Sequence, residues 1–175
     1  MAADPNGHTV ELLHDGGPKG TRVMAECPNR IASFFLPYGE GTLEAVSRDE
    51  DGNELARHTL TTAGPPAALK VDVDKQALRA DDQDLAHVQI TVVDGNGVRV
   101  PDAAVPVGID VEGPARLAGM DNGDLCCHEP YQAPRRHTHR GRCLAVVRAG
   151  HTPGPVKLTA ITPDLPAAVC EFTVQ

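Results

Sequence analysis

Apolar residues along this chain alternate with polar ones, or gather in short runs bounded by turn formers. Almost nowhere do they repeat at the spacing of an amphipathic helix, so the pattern predicts strands. The candidates are Thr9–Leu13, Ala32–Leu36, Thr42–Ser47, Leu55–Thr61, Leu69–Val73, His87–Val93, Val105–Val111, Arg116–Gly119, Cys143–Arg148, Val156–Ile161 and Ala168–Val174. Within His87–Val93, Val88, Ile90 and Val92 share one face, while His87, Gln89 and Thr91 share the other. That alternation suits an antiparallel strand with one side on a core and the other in water. Asp49-Glu50-Asp51-Gly52-Asn53 and Asp94-Gly95-Asn96-Gly97 each stand between two such runs. Their Asp-Gly and Asn-Gly pairs supply the positive φ of tight hairpins.

Short strands separated by turns predict an all-β fold of sandwich type. The best boundary is Ala63-Gly64-Pro65-Pro66-Ala67-Ala68, because adjacent prolines donate no ladder hydrogen bonds and stiffen a connection. The expectation is two tandem immunoglobulin-like β-sandwich modules, the first incomplete. Residues 1–63 form a partial domain, 64–68 a Gly/Pro linker and 69–175 a sandwich of ordinary length. Four strands before Gly64 are too few to close a sandwich.

Composition narrows the function. The 175 residues are 41% hydrophobic and 23% charged, with net charge -8. That is a globular composition, and its acidity argues against nucleic acid and anionic membranes. The only basic cluster, Arg135 to Arg142, is short. No apolar run approaches the ~20 residues of a membrane span. Met1 to His8 lacks the basic and apolar parts of a secretory signal, so the expected location is cytoplasmic. The five cysteines are an odd number, which reads as reduced thiols rather than a disulfide scaffold.

Candidate chemistry concentrates in Cys126-Cys127-His128, His137-Thr138-His139 and Cys143. On a strand, His137 and His139 would share a face and could reach one metal. The C-x₂₋₄-C and H-x₃₋₅-H spacings of structural zinc are absent, so no metal ligand is assigned. A Cys127–His137 nucleophile pair lacks an orienting third group and an oxyanion turn, so no catalytic residue is assigned either. Cys143 and Cys170 lie in strand patterns and read as buried small hydrophobes. His128-Glu129-Pro130 reads as a solvated loop. The clusters Asp81-Asp82-Gln83-Asp84 and Asp121-Asn122-Gly123-Asp124 read as turns with Asx bonding, since they lack a calcium loop's ligand order. No Gly-rich loop points to a nucleotide cofactor. With no Trp, a carbohydrate platform is not expected, and the Phe34-Phe35 pair can send only one ring inward.

The residues also carry a resemblance. Val10-Glu11-Leu12-Leu13-His14-Asp15-Gly16-Gly17-Pro18-Lys19-Gly20 is similar to a "VELFLNGKSLG" hairpin. That hairpin lies in an immunoglobulin-like domain near the C-terminus of glycoside hydrolase family 2 enzymes of the β-galactosidase type. Pro37-Tyr38-Gly39-Glu40-Gly41-Thr42-Leu43-Glu44-Ala45-Val46 resembles the same domain's "PYEPGTLKAV", and Asp51 to Ala56 and Thr61 to Pro66 resemble its last hairpin and exit. Leu78 to Val88, Val92 to Gly97, Gly119 to Asp124, Gly141 to Arg148 and Leu158 to Ala160 resemble the domain that follows. The resemblance implies that catalytic glutamates lie in a (β/α)₈ barrel outside this chain. It also implies a non-catalytic supporting role, with the barrel or a neighbouring subunit as partner. The chain then reads as the C-terminal piece of a longer enzyme. A stand-alone bacterial immunoglobulin-like interaction module is the alternative.

Overall fold

The computed structural model describes residues 7–175, which divide after Thr62 into two compact units. The first unit is one antiparallel sheet of β1 (Thr9–His14), β2 (Gly17–Val23), β3 (Thr42–Arg48) and β4 (Glu54–Thr61), in the order β2-β1-β3-β4. Asp15 and Gly16 carry φ of 51° and 73°, both positive, as the two-residue β1–β2 turn requires. The Asp15 carboxylate then accepts the Thr42 amide at 2.8 Å and ties this turn to β3. At the β3–β4 turn, Asp49 accepts both the backbone and side-chain nitrogens of Asn53, at 2.8 and 2.9 Å. Val10, Leu12 and Ala45 are buried on one face of the sheet, under Met24 and Phe34 of the connection between β2 and β3.

That connection corrects one expectation. Ala32–Leu36 is not a strand: the segment runs unpaired between a pair of short 3₁₀ turns and Pro37. Its alternation still acts, because Phe34 packs on the small core while Phe35 is 96% exposed. β2 escapes the hydrophobic pattern because Gly17-Pro18-Lys19-Gly20 is an edge sequence without an apolar face.

The second unit is a two-sheet sandwich. One sheet contains β5 (Ala68–Val73), β7 (Leu85–Val93), β9 (Ala115–Asp121) and β11 (Arg142–Ala149), ordered β5-β7-β11-β9. The other contains β6 (Ala77–Leu78), β8 (Pro106–Glu112), β10 (Arg135–His137), β12 (Gly154–Thr162) and β13 (Leu165–Val174), ordered β10-β8-β12-β13-β6. All pairs are antiparallel except β6 with β13. Val88, Ile90 and Val92 from β7, Ala145 and Val147 from β11, and Val156, Leu158 and Ala160 from β12 fill the space between the sheets. Thr91 departs from the expected wet face. It is 5% exposed, and its hydroxyl accepts a hydrogen bond from the Gln89 amide.

The turn at Asp94 also differs from the expected hairpin. Its carboxylate accepts the amides of Asn96 and Val98 at 2.9 Å, and of Gly64 at 2.7 Å. The chain turns back for an isolated bridge between Val93 and Arg99 rather than a second strand. No helix among the described residues is long and apolar enough to cross a membrane.

Leu158 is fully buried at the centre of the sandwich. Leu158→Ala is expected to lower unfolding free energy by about 2–5 kcal/mol, read from urea denaturation. Acid stability has a separate local source. Asp84 accepts Lys75 Nζ at 2.8 Å and the amides of Arg79 and Leu85, which lowers its pKa to about 2 from the ordinary 3.8. Its contribution is therefore complete above pH 3.8 and lost as pH falls toward about 2. Asp84→Asn should flatten the fall of the urea midpoint across that window.

Candidate functional site

Every residue with candidate chemistry in the 126–139 stretch lies on, or beside, the connection from β9 to β10. These are edge strands of opposite sheets, so residues 122–134 cross the open side of the sandwich. A connection this long without secondary structure is ordinarily functional or disordered. Here it is hydrogen-bonded throughout. The Asp121 carboxylate accepts the amides of Asn122 and Gly123, Asn122 Oδ1 accepts Asp124 N, and Asp124 Oδ1 accepts Cys126 N at 3.0 Å. The two acidic clusters are thus Asx turns, since Asp81 likewise accepts the amides of Gln83 and Asp84.

The period-two geometry of β10 puts Arg135 and His137 outward and Arg136 inward, where it is fully buried. One guanidinium nitrogen donates to both Met120 O and Glu129 O at 3.1 Å. Nη2 lies 3.7 Å from the Asp121 carboxylate, and the guanidinium stacks 4.6 Å from the centre of the Tyr131 ring. Met120 N donates to Tyr131 O at 2.6 Å, closing the loop onto β9. A Cβ at Gly119 would stand 3.0 Å from that same carbonyl oxygen, tighter than most real Cβ contacts, so the close approach favours glycine. Arg136 Nε and Nη2 have no hydrogen-bond partner among the described atoms. The sequence placed Arg136 in a short basic cluster; its burial follows only from the pairing of β10 with β8.

Glu129 is not the solvated loop carboxylate expected from sequence. One oxygen accepts the His137 amide at 2.9 Å and the other accepts His137 Nδ1 at 2.7 Å. The backbone hydrogen bond, followed by the imidazole, holds its carboxyl below the usual glutamate range. Cys127 Sγ lies 3.6 Å from the same carboxylate, so the thiol faces Glu129 and no Cys127–His137 hydrogen bond forms. His139 turns instead to Asp124, 3.8 Å away. His137 and His139 therefore engage different carboxylates, and Cys126 is exposed. No group of three or more metal-ligating side chains forms among the described residues. Cys143 is buried in β11, and desolvation pushes its thiol pKa up to about 12.

Residues 69–171 match the glycoside hydrolase family 2 C-terminal domain 5. The chain belongs to that family. It is 32% identical over 166 residues to the β-galactosidase BoGH2A of Bacteroides ovatus, covering 95% of this chain and 19% of that protein. A β-galactosidase of Thermoanaerobacter pseudethanolicus is 42% identical over 110 residues, 63% of this chain and 13% of that protein. The crystal structure of a glycosyl hydrolase family 2 member from Bacteroides cellulosilyticus superposes with a TM-score of 0.91 at 31% identity. The match covers 97% of this chain and 22% of that one. The chain thus spans about a fifth of BoGH2A, and the fold and family expected from sequence are those found.

Removing the guanidinium tests the loop's dependence on it. Arg136→Ala leaves the buried Met120 carbonyl and the half-buried Glu129 carbonyl without their donor and is expected to cost about 1–3 kcal/mol in urea unfolding. Arg136→Lys should not restore stability, because an ammonium lacks the planar fork and the stack on Tyr131. The Glu129 contribution is present above its ordinary pKa of 4.5 and lost as pH falls through the lowered folded value. Glu129→Gln should therefore remove part of the acid-induced loss of thermal stability below that pH.

Proposed function

We propose that this chain is the non-catalytic C-terminal β-sandwich portion of a β-galactosidase-like family 2 glycoside hydrolase, supporting the catalytic barrel or a subunit contact. The observation that carries the reading is the match of residues 69–171 to the family's C-terminal domain 5, within relatives several times longer. The chemistry of the β9–β10 connection agrees with a supporting role. Retaining glycosidases need two carboxyl groups ~5–5.5 Å apart across a glycosidic bond. Glu129 has both oxygens engaged by His137, and Asp124 caps a turn. These groups are spent on holding the loop, and none is free to act as a paired acid and nucleophile.

Purified chain is expected to leave a chromogenic galactoside unhydrolysed; turnover that scales with protein concentration would contradict the proposal. An antibody raised against residues 69–175 should detect, in lysate of source cells, one product far larger than 18.5 kDa. A native product of 18.5 kDa would contradict it as well.

A further inference from the structure

Two Asn-Gly pairs, Asn96-Gly97 and Asn122-Gly123, lie outside the strands of the second unit. Asparagine is a thermally labile residue, and glycine after it removes the Cβ that would shield its side chain from the next main-chain nitrogen. That nitrogen attacks the side-chain carbonyl carbon, a C–N bond forms, and the carboxamide nitrogen leaves as ammonia. Water then opens the resulting five-membered succinimide at either carbonyl. One opening gives aspartate. The other gives isoaspartate, in which the main chain runs through the side chain and is one methylene longer. Water is the only co-reactant.

The two pairs are held differently. Each attacking amide is donated to an aspartate oxygen, Gly97 N to Asp94 O at 3.0 Å and Gly123 N to Asp121 Oδ1 at 3.3 Å. Opening that bond is a cost common to both, so the carboxamide decides. Asn122 is fixed at both ends: Nδ2 donates to His137 O at 2.9 Å, and Oδ1 accepts Asp124 N at 3.0 Å. Asn96 is exposed between exposed Gly95 and Gly97, and its carboxamide makes no hydrogen bond among the described residues. A Cβ at Gly95 or Gly97 would meet nothing beyond its chain neighbours within 4 Å, so the rest of the unit leaves this turn uncovered. An uncovered turn of this kind opens locally at little cost.

A change at Asn96 reaches inward through Asp94. That buried carboxylate accepts Asn96 N and Val98 N on one oxygen, both at 2.9 Å, and Gly64 N on the other at 2.7 Å. An extra methylene between Asn96 and Gly97 lengthens the path between the two amides that share an oxygen, and they no longer fit it together. We propose that Asn96 is a site of spontaneous deamidation and isomerisation, and that the isoaspartate formed there loosens the Asp94 clasp on Gly64.

The intact chain is incubated at mildly alkaline pH and its tryptic peptides are weighed over time. Asn96 falls in peptide 80–99 and Asn122 in peptide 117–135. Peptide 80–99 should gain the mass of amide-to-acid conversion about tenfold faster or more, the factor that two net hydrogen bonds on Asn122 supply. In Asn96→Gln, where closure needs a six-membered ring, peptide 80–99 should keep its mass. Gly64 N should exchange faster in the aged protein than in the fresh one. Asn96→Asp, which adds the charge without the methylene, should exchange at Gly64 as the fresh protein does. Equal rates for the two peptides, or faster conversion of 117–135, would overturn the assignment of the site. Conversion at Asn96 that leaves Gly64 exchange unchanged would overturn its effect on the clasp.

Discussion

A buried guanidinium organises the second unit's open side. Arg136 sits where an edge strand turns one residue inward, and a charge in that position must be satisfied by whatever lies across from it. The carbonyls of Met120 and Glu129 answer it, one from β9 and one from the loop, while Tyr131 covers its face. Two sheet edges and the connection between them are thereby tied to a single side chain. The neighbouring polar residues follow from this: Glu129 can reach His137 because Arg136 fixes the Glu129 carbonyl, and Asp121 begins the turn that brings the loop round.

The arrangement explains how a stretch dense in Cys, His, Asp and Glu can be structural. Chemistry requires titratable groups that converge on a shared space and are held by something else. Here the carboxylates are consumed pairwise, Glu129 by His137 and Asp124 by a backbone turn. The thiol of Cys143 is buried in the core and that of Cys127 faces a carboxylate. Such an arrangement agrees with the supporting role proposed above and with membership of a C-terminal domain family in glycoside hydrolases.

Much of this was legible from the sequence. The alternating runs His87–Val93 and Cys143–Arg148 were readable as strands because each faces the core on one side, Thr91 being the exception on the other. The β3–β4 hairpin turn was readable because Asp49…Asn53 bonding is local, whereas the Asp94 turn, of similar composition, leads only to an isolated bridge. What escaped depends on partners distant in sequence. β6 and β10 are two and three residues long and exist only through pairing with β13 and β8. Ala32–Leu36 has strand-like composition but no sheet edge beside it. Arg136 reads as one of several arginines until β10 is known to be an edge strand, and Glu129 reads as solvated until Arg136 anchors its carbonyl.

Amide hydrogen exchange on the intact chain tests the central claim most directly. Met120 N, Cys127 N and His137 N donate to Tyr131 O, Asp124 O and the Glu129 carboxylate. If the buried guanidinium makes this connection part of the folded core, these three amides exchange on the timescale of β7 and β11. Exchange within the dead time, as in a solvated loop, would contradict the account.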